Sequence, residues 1–360
     1  MLQGHGGNIY ELARQQDCDP SEITDMSSNV NPLGPPPGLS AFLQENLDRI
    51  TALPEVDAGG ICRAFAACHQ VDPVRVVAGN GTTQIIYSLP RALDSRRALI
   101  LTPTYADYAD ACALNQVPAD FFTAAAEEEF RPSLSALSDA IGSAVADLVF
   151  ICNPNNPTGV WIPTAGIRDL CAAHPATRFV IDEAYLPFMP DSRSLTLVGS
   201  DLPENIIVLN SMSKIFRIPG LRIGFAVAAP EIIERVTAVT LPWSVNSLSQ
   251  AAVEWLMSHP EETGQFVAQT VALLATEKKW LAGQLADNPV VRPLPSHTSF
   301  VLAALAGEHT AETVCYFLGQ HRMLIRNCAN FKGLSADYIR ISLKTRPENS
   351  RLAAYLNQLQ

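Results

Sequence analysis

A mostly parallel α/β sheet covered by helices, joined to a smaller α+β domain, is the fold class that the sequence predicts. Two patterns and a length carry that expectation. Short apolar runs bounded by turns recur at Ala98–Leu101, Leu148–Cys152, Phe179–Ile181, Ile206–Leu209 and Ile223–Val227, with room for a crossover helix between them. After Pro230 the pattern changes to amphipathic helical stretches, Ser247–Met257 and Thr263–Leu285, followed by strand-like Phe300–Ala304 and Tyr338–Leu343. At 360 residues the chain exceeds what one hydrophobic core usually supports. The expected division is an N-terminal arm with part of the small domain over residues 1–40, a large domain over 41–240 and the small C-terminal domain over 241–360. Gly4–Pro37, rich in Gly, Pro, Ser and Asn, reads as a long arm that covers the site.

Composition narrows the function classes. Charged residues are only 17% and AVILMFWYC residues 48% of the chain, which implies much buried surface and a subunit interface, so a homodimer is expected. A formal charge of −11 argues against nucleic acid or an anionic membrane as partner, because phosphate backbones need basic surfaces. Any anion must then be held by a local pocket. Eight cysteines are scattered without a CxxC pair, as reduced cytoplasmic thiols are. No basic start with an apolar h-region precedes His5, and no apolar stretch reaches the ~18 residues of a membrane span. The histidines at 69, 174, 259, 297, 309 and 321 lack metal-ligand spacing, so no metal site is expected.

The chemistry-bearing residues follow the predicted strands. Ser211-Met-Ser-Lys214 leads, eight residues after the lysine, to Arg222 in Pro-Gly-Leu-Arg222-Ile-Gly224. A lysine so placed can attach an aldehyde cofactor while nearby hydroxyls and the arginine hold a phosphate; a lone loop lysine is more often a surface charge. Phe179-Val-Ile-Asp182-Glu-Ala-Tyr185 puts a carboxylate at the end of an apolar strand, where open α/β sheets bind ligands. Asp182 can keep a pyridine nitrogen protonated and so make the ring an electron sink. The alternatives are a helix-capping Asp182, or Glu183 as the active carboxylate with Asp182 structural. Tyr185 can donate to a ring phenolate oxygen, though a tyrosine alone is more often core or surface. Asn153-Pro-Asn-Asn156-Pro-Thr-Gly159 is the kind of sequence that normally only turns, yet its amides reach the same strand end, which makes Asn156 a candidate for that oxygen. Ala78-Gly-Asn-Gly81-Thr82-Thr83 opens an apparent helix, Thr82–Leu93, whose N-terminus can cradle a phosphate, although most such triplets are ordinary turns.

Taken in order, these motifs resemble fold-type I pyridoxal-5′-phosphate (PLP) enzymes of the class I/II aminotransferase family. The 26 residues from Asn156 to Asp182 and the 32 from Asp182 to Lys214 match the family's spacing. The resemblance implies an aspartate-aminotransferase-like fold with PLP bound by the large domain. It implies Lys214 as the Schiff-base lysine, Asp182 on the pyridinium nitrogen, and Asn156 and Tyr185 on the ring oxygen. Gly81, Thr82, Ser211, Ser213 and Arg222 would hold the cofactor phosphate, and Tyr105 of Thr-Pro-Thr-Tyr would stack on the ring. The catalytic set is then Lys214, Asp182 and Tyr185.

Within the family the resemblance is greatest to the threonine-phosphate decarboxylases of cobalamin biosynthesis, over nearly the whole chain. It rests on His5-Gly-Gly-Asn8, Ser27-Ser-Asn29-Val-Asn-Pro-Leu-Gly34, Leu241-Pro-Trp-Ser-Val-Asn246 and Leu324-Ile-Arg326-Asn-Cys-Ala-Asn330-Phe-Lys-Gly-Leu334. It implies a small phosphorylated amino acid as substrate and loss of its carboxylate as CO₂. Arg340, alternating with apolar residues in Tyr338-Ile-Arg340-Ile-Ser342, matches the family's arginine for the substrate carboxylate, with Asn156 beside it; a structural ion pair is the plainer alternative. His5, Asn29 and Arg326 are the candidates around the substrate phosphate. Two rivals share the cofactor motifs: a histidinol-phosphate-type aminotransferase, and a decarboxylase acting on phosphoserine, which lacks a single methyl. A catalytically idle protein of the same fold is a third reading, against which Lys214, Asp182 and Arg340 weigh. One departure stands out: where relatives commonly carry Tyr-Pro, with a tyrosine reaching the cofactor phosphate across a dimer, this chain has Leu53-Pro54.

Overall fold

Strand Leu148–Cys152 is buried along its whole length, as a strand must be when helices cover both faces of its sheet. The computed structural model of the chain describes residues 6–359. Its sheet structure begins with the short β1 (Thr24–Asp25). The large sheet is then built from β2 (Val76–Asn80), β3 (Ala98–Thr102), β4 (Ala119–Thr123), β5 (Leu148–Cys152), β6 (Arg178–Asp182), β7 (Ile206–Ser211) and β8 (Ile223–Val227). Their order is β2-β8-β7-β6-β5-β3-β4, parallel except that β8 runs antiparallel to both of its neighbours.

All five predicted runs are strands of this sheet. The two strands missed from the sequence, β2 and β4, are its edges. Each residue of β4 is only half-buried or exposed, so it lacks the continuous apolar signal of the central strands. The predicted helix after β2 runs Gly81–Ala92, one residue earlier than read.

Beyond Pro230 come the helices Ser247–Ser258 and Pro260–Gln284, then an antiparallel sheet of order β12-β13-β10-β9. Its strands are β9 (Val291–Pro293), β10 (Phe300–Leu305), β12 (Arg326–Asn327) and β13 (Tyr338–Ser342), while β11 (Met323–Leu324) pairs in parallel with β1. The first of those helices starts where Asn246 accepts a hydrogen bond from the Ser249 N–H, and the second starts on Pro260, whose missing donor costs nothing there. The N-terminal segment contains a helix, Ile9–Gln15, that the Gly- and Pro-rich composition had hidden; Asn8 caps it by accepting from the Glu11 N–H. After β1 the segment runs back across the large sheet, where the Asn31 N–H donates to the Lys214 carbonyl at 3.0 Å. Each of the eight cysteines is a free thiol, and no described helix is long and apolar enough to cross a membrane.

Candidate active site

The reversed direction of β8 brings the phosphate-type motifs together. Because β8 is antiparallel, its first residues lie at the edge where β2 and β7 end, with Gly224 in register with both Gly79 and Ser211. Arg222, which directly precedes β8, therefore sits beside Gly81 and Thr82 at the start of their helix. The approach is close: a Cβ on Gly81, whose φ is +70°, would come within 2.7 Å of Arg222 Nη2, and one on Gly224 within 2.6 Å of the Thr82 nitrogen. Helix N–H groups, a guanidinium and the hydroxyls of Thr82, Ser211 and Ser213 line one end of a cavity of about 80 Å³. Such a set can hold a phosphate.

Asp182 is buried in the wall of the same cavity, with Asn156, Tyr185 and Tyr105. Its Oδ2 accepts from the Tyr108 hydroxyl at 2.8 Å and its Oδ1 from the Ala184 N–H at 3.0 Å. Burial pushes its carboxyl above the usual range, against the pull of those two donors and of Lys214. Glu183 faces elsewhere: its oxygens accept from the Thr196 hydroxyl and, at 2.8 Å, from the Leu197 N–H. Of the two adjacent carboxylates, Asp182 is the one that lines the cavity. Lys214 lines it too, and burial, helped by the Arg222 and Arg340 cations, lowers its ammonium to about 8.

Lys214, Asn156 and Tyr185 also face a second, larger cavity of about 1030 Å³. Here β12 and β13 place Arg326 and Arg340 directly opposite each other. Arg340 is buried; it donates to Asn156 Oδ1 and, at 2.7 Å, to the Ser27 carbonyl, while its Nε has no partner. With its oxygen taken, Asn156 keeps its amide donors for a ligand. Arg326 donates to the Asn327 carbonyl and to Asn330 Oδ1 at 2.7 Å, and stacks 4.9 Å above the Phe331 ring. Asn29 lies in the wall with both polar atoms engaged: its Oδ1 accepts from the Ser342 hydroxyl at 2.7 Å and its Nδ2 donates to the Tyr185 hydroxyl at 3.2 Å. Burial raises the Tyr185 phenol to about 12, so it stays a proton donor near neutral pH. His5 lies outside the described residues; Gly6 and Gly7, next along the chain, line the cavity. Leu53 lines neither cavity and is exposed.

Among the lining residues that escaped the sequence reading are Tyr108, Lys344 and Arg217. Tyr108, in the first turn of the helix Asp107–Leu114, lies three residues past Tyr105, which precedes that helix, and both line the smaller cavity. Lys344 stands two residues past the end of β13 and lines the larger cavity. Arg217, between the two strands' motifs, gave no signal of its own. Among the described residues no cluster of His, Cys, Asp and Glu could hold a metal ion.

The donor set fits a phosphorylated pyridine aldehyde. A depressed lysine amine suits the aldehyde, a buried carboxylate the ring nitrogen, and the Gly81–Arg222 cradle the phosphate. The family model for aminotransferase class I and II matches residues 21–356. Threonine-phosphate decarboxylase of Salmonella typhimurium is 32% identical, covering 99% of this chain and 96% of that protein. The adenosylcobalamin biosynthesis bifunctional protein CobDQ of Leptospira interrogans is 30% identical over 98% of this chain, which spans only 40% of that longer protein. A histidinol-phosphate aminotransferase of Zymomonas mobilis is also 30% identical, over 87% of this chain and 84% of its own. Among solved structures, L-threonine-O-3-phosphate decarboxylase from Porphyromonas gingivalis superposes with a TM-score of 0.80 at 29% identity, covering 93% of this chain and 99% of that one. Fold, motif order and family match agree: the chain is a PLP-dependent enzyme with an aspartate-aminotransferase-like fold and belongs to the class I and II aminotransferase family.

Proposed function

We propose that this enzyme decarboxylates L-threonine O-3-phosphate to (R)-1-amino-2-propanol O-2-phosphate, the linker for the cobalamin nucleotide loop. The observation that carries the reading is the pair Arg326 and Arg340, in register across two strands and facing the cavity that also holds Lys214. Two cations side by side suit a small substrate with two anionic groups. Arg340 takes the carboxylate, with the Asn156 amide beside it, and Arg326 the phosphate, with Asn29 and His5 as the further candidates for that group. PLP, when bound, supplies an electron sink conjugated to Cα. Lys214 would hold the aldehyde, Asp182 the ring nitrogen, Asn156 and Tyr185 the ring oxygen, and Gly81, Thr82, Ser211, Ser213 and Arg222 the phosphate, with Tyr105 as the residue to stack on the ring. As the Cα–carboxylate bond breaks, CO₂ leaves with neither bonding electron, and the Lys214 ammonium returns a proton to Cα. A depressed pKa suits that exchange, because the group must carry a proton at one moment and lack it at another.

Relatives of both names, threonine-phosphate decarboxylase at 32% and histidinol-phosphate aminotransferase at 30%, lie at about equal identity. The second reading is therefore transamination of histidinol phosphate, and phosphoserine is a second candidate for decarboxylation. A CO₂-release assay over phosphothreonine, phosphoserine and histidinol phosphate, with and without 2-oxoglutarate, separates them. CO₂ from phosphothreonine without an acceptor is expected. Turnover of histidinol phosphate that depends on 2-oxoglutarate would overturn the proposal. We further read the enzyme as a cytoplasmic homodimer: free thiols fit the compartment, and exposed apolar side chains at Ile50, Leu53, Val56 and Leu241 fit a partner surface. The small domain in this reading combines residues 1–40 with 241–360, as the β1–β11 pairing suggests.

A further inference from the structure

A buried carboxylate takes up a proton unless donors stabilise its charge. Asp182 is in that position. It stands at the end of β6 opposite Cys152 of β5, a thiol that burial keeps protonated, and Tyr185 lies on the same cavity wall. The attraction of Lys214 helps hold the charge, but in the proposed role its amine is committed to the cofactor aldehyde. What remains is the Ala184 N–H on Oδ1 and the Tyr108 hydroxyl on Oδ2.

Tyr108 is fixed for this contact. It is fully buried, its ring stacks on Phe150 at 5.1 Å with the planes 15° apart, and the edge of Tyr105 meets it at 5.7 Å. A tyrosine that merely filled the core needs no acceptor so placed; this one donates at 2.8 Å to the oxygen that the backbone leaves free. Its own ionisation is pushed far up by burial, so it is a donor at every working pH.

We propose that Tyr108 is a positioning residue that keeps Asp182 anionic, so that the proton shared between Asp182 and the cofactor's ring nitrogen resides on the nitrogen. The inference rests on the proposed contact between Asp182 and that nitrogen. A proton shared by two bases goes to the more basic one. A donor to Asp182 weakens it as a base and leaves the proton, and with it the electron-withdrawing power, on the ring.

The test loads the enzyme with PLP labelled with ¹⁵N in the ring and follows the ¹⁵N NMR signal against pH, in the wild type, Tyr108→Phe and Asp182→Asn. Tyr108→Phe keeps the ring stacking and removes only the donor. It is expected to shift the plateau of the ¹⁵N signal below the deprotonation midpoint toward the unprotonated value, the ratio of proton on nitrogen to proton on Asp182 falling about tenfold, the worth of one hydrogen bond to a charged group. Asp182→Asn is expected to leave the nitrogen unprotonated throughout. An unmoved plateau in Tyr108→Phe, alongside a changed signal in Asp182→Asn, would overturn the role of Tyr108 alone. An unchanged signal in Asp182→Asn would overturn the Asp182 contact itself. Should Tyr108→Phe fail to fold, 3-fluorotyrosine at position 108, a stronger donor of nearly the same shape, must move that plateau toward the protonated value; a move the other way or no change refutes the proposal.

Discussion

Lys214 shows how one side chain gathers its chemistry from three directions: burial among apolar strands, two arginines within electrostatic reach, and two aspartates, Asp182 and Asp107, opposing them. The net effect lowers its ammonium to about 8. Only the neutral amine attacks an aldehyde, so the rate at which apoenzyme captures PLP should rise with pH and level off above about 8. Stopped-flow absorbance across pH checks this, and an inflection near the ordinary lysine value of 10.5 would contradict it. Arg340 gives a second expectation. Arg340→Lys keeps a cation but loses the fork that reaches Asn156, Ser27 and a ligand together, and should weaken substrate binding about 10- to 100-fold, measured as KM, while the cofactor stays bound. Lys214, Asp182 and Arg222 were legible in the sequence because each sits at a fixed offset from an apolar strand. Tyr108 was not, because what matters about it is where a helix aims its hydroxyl. Glu183 and Asp182 were indistinguishable as neighbours until the strand's end turned one into the cavity and the other toward Thr196 and Leu197.

At the level of elements, the end of β13 is held by a polar knot. Glu277, from the helix Pro260–Gln284, accepts from Arg346 Nε at 3.0 Å and Nη2 at 2.8 Å and from Asn349 Nδ2 at 2.8 Å. Asn349 in turn accepts from the Lys344 N–H and donates to the Lys344 carbonyl, tying the strand's exit to the helix Arg346–Leu356. Burial alone would raise the Glu277 carboxyl, but Arg346 and Asn349 hold it below its usual range. Its contribution to stability is thus present above the unfolded value of 4.5 and lost as pH falls through the lower folded value. Glu277→Ala should cost about 2 kcal/mol, less than a fully buried pair because Arg346 is half-exposed, and should flatten the acid side of the denaturation profile. The long strands were readable because each holds an apolar run of several residues. The two-residue strands β1, β11 and β12 were not, since two residues define no period and only pairing across the chain makes them strands.

Across the whole molecule, apolar side chains stand exposed on adjoining segments: the Trp243 N–H donates to the Val56 carbonyl, and Gln250 bonds the Glu55 backbone in both directions. Leu53 is 76% exposed and Leu241 72%, on a protein otherwise poor in charge. Two copies should associate through this face, and Leu53→Asp combined with Leu241→Asp should shift sedimentation from a dimer to a monomer. The α/β architecture was legible at this scale because strand and helix periods alternate so regularly; the pairing of Thr24 and Asp25 that anchors the N-terminal arm was not, since it depends on a partner strand some three hundred positions away. That distant pairing divides the enzyme's labour. The Ser27 carbonyl and Asn29 come from the opening stretch, whereas Lys214, Asp182 and the Gly81–Arg222 cradle do not. Shorn of everything up to Val30, the polypeptide should still turn yellow with its vitamin, yet bind the amino acid far more weakly.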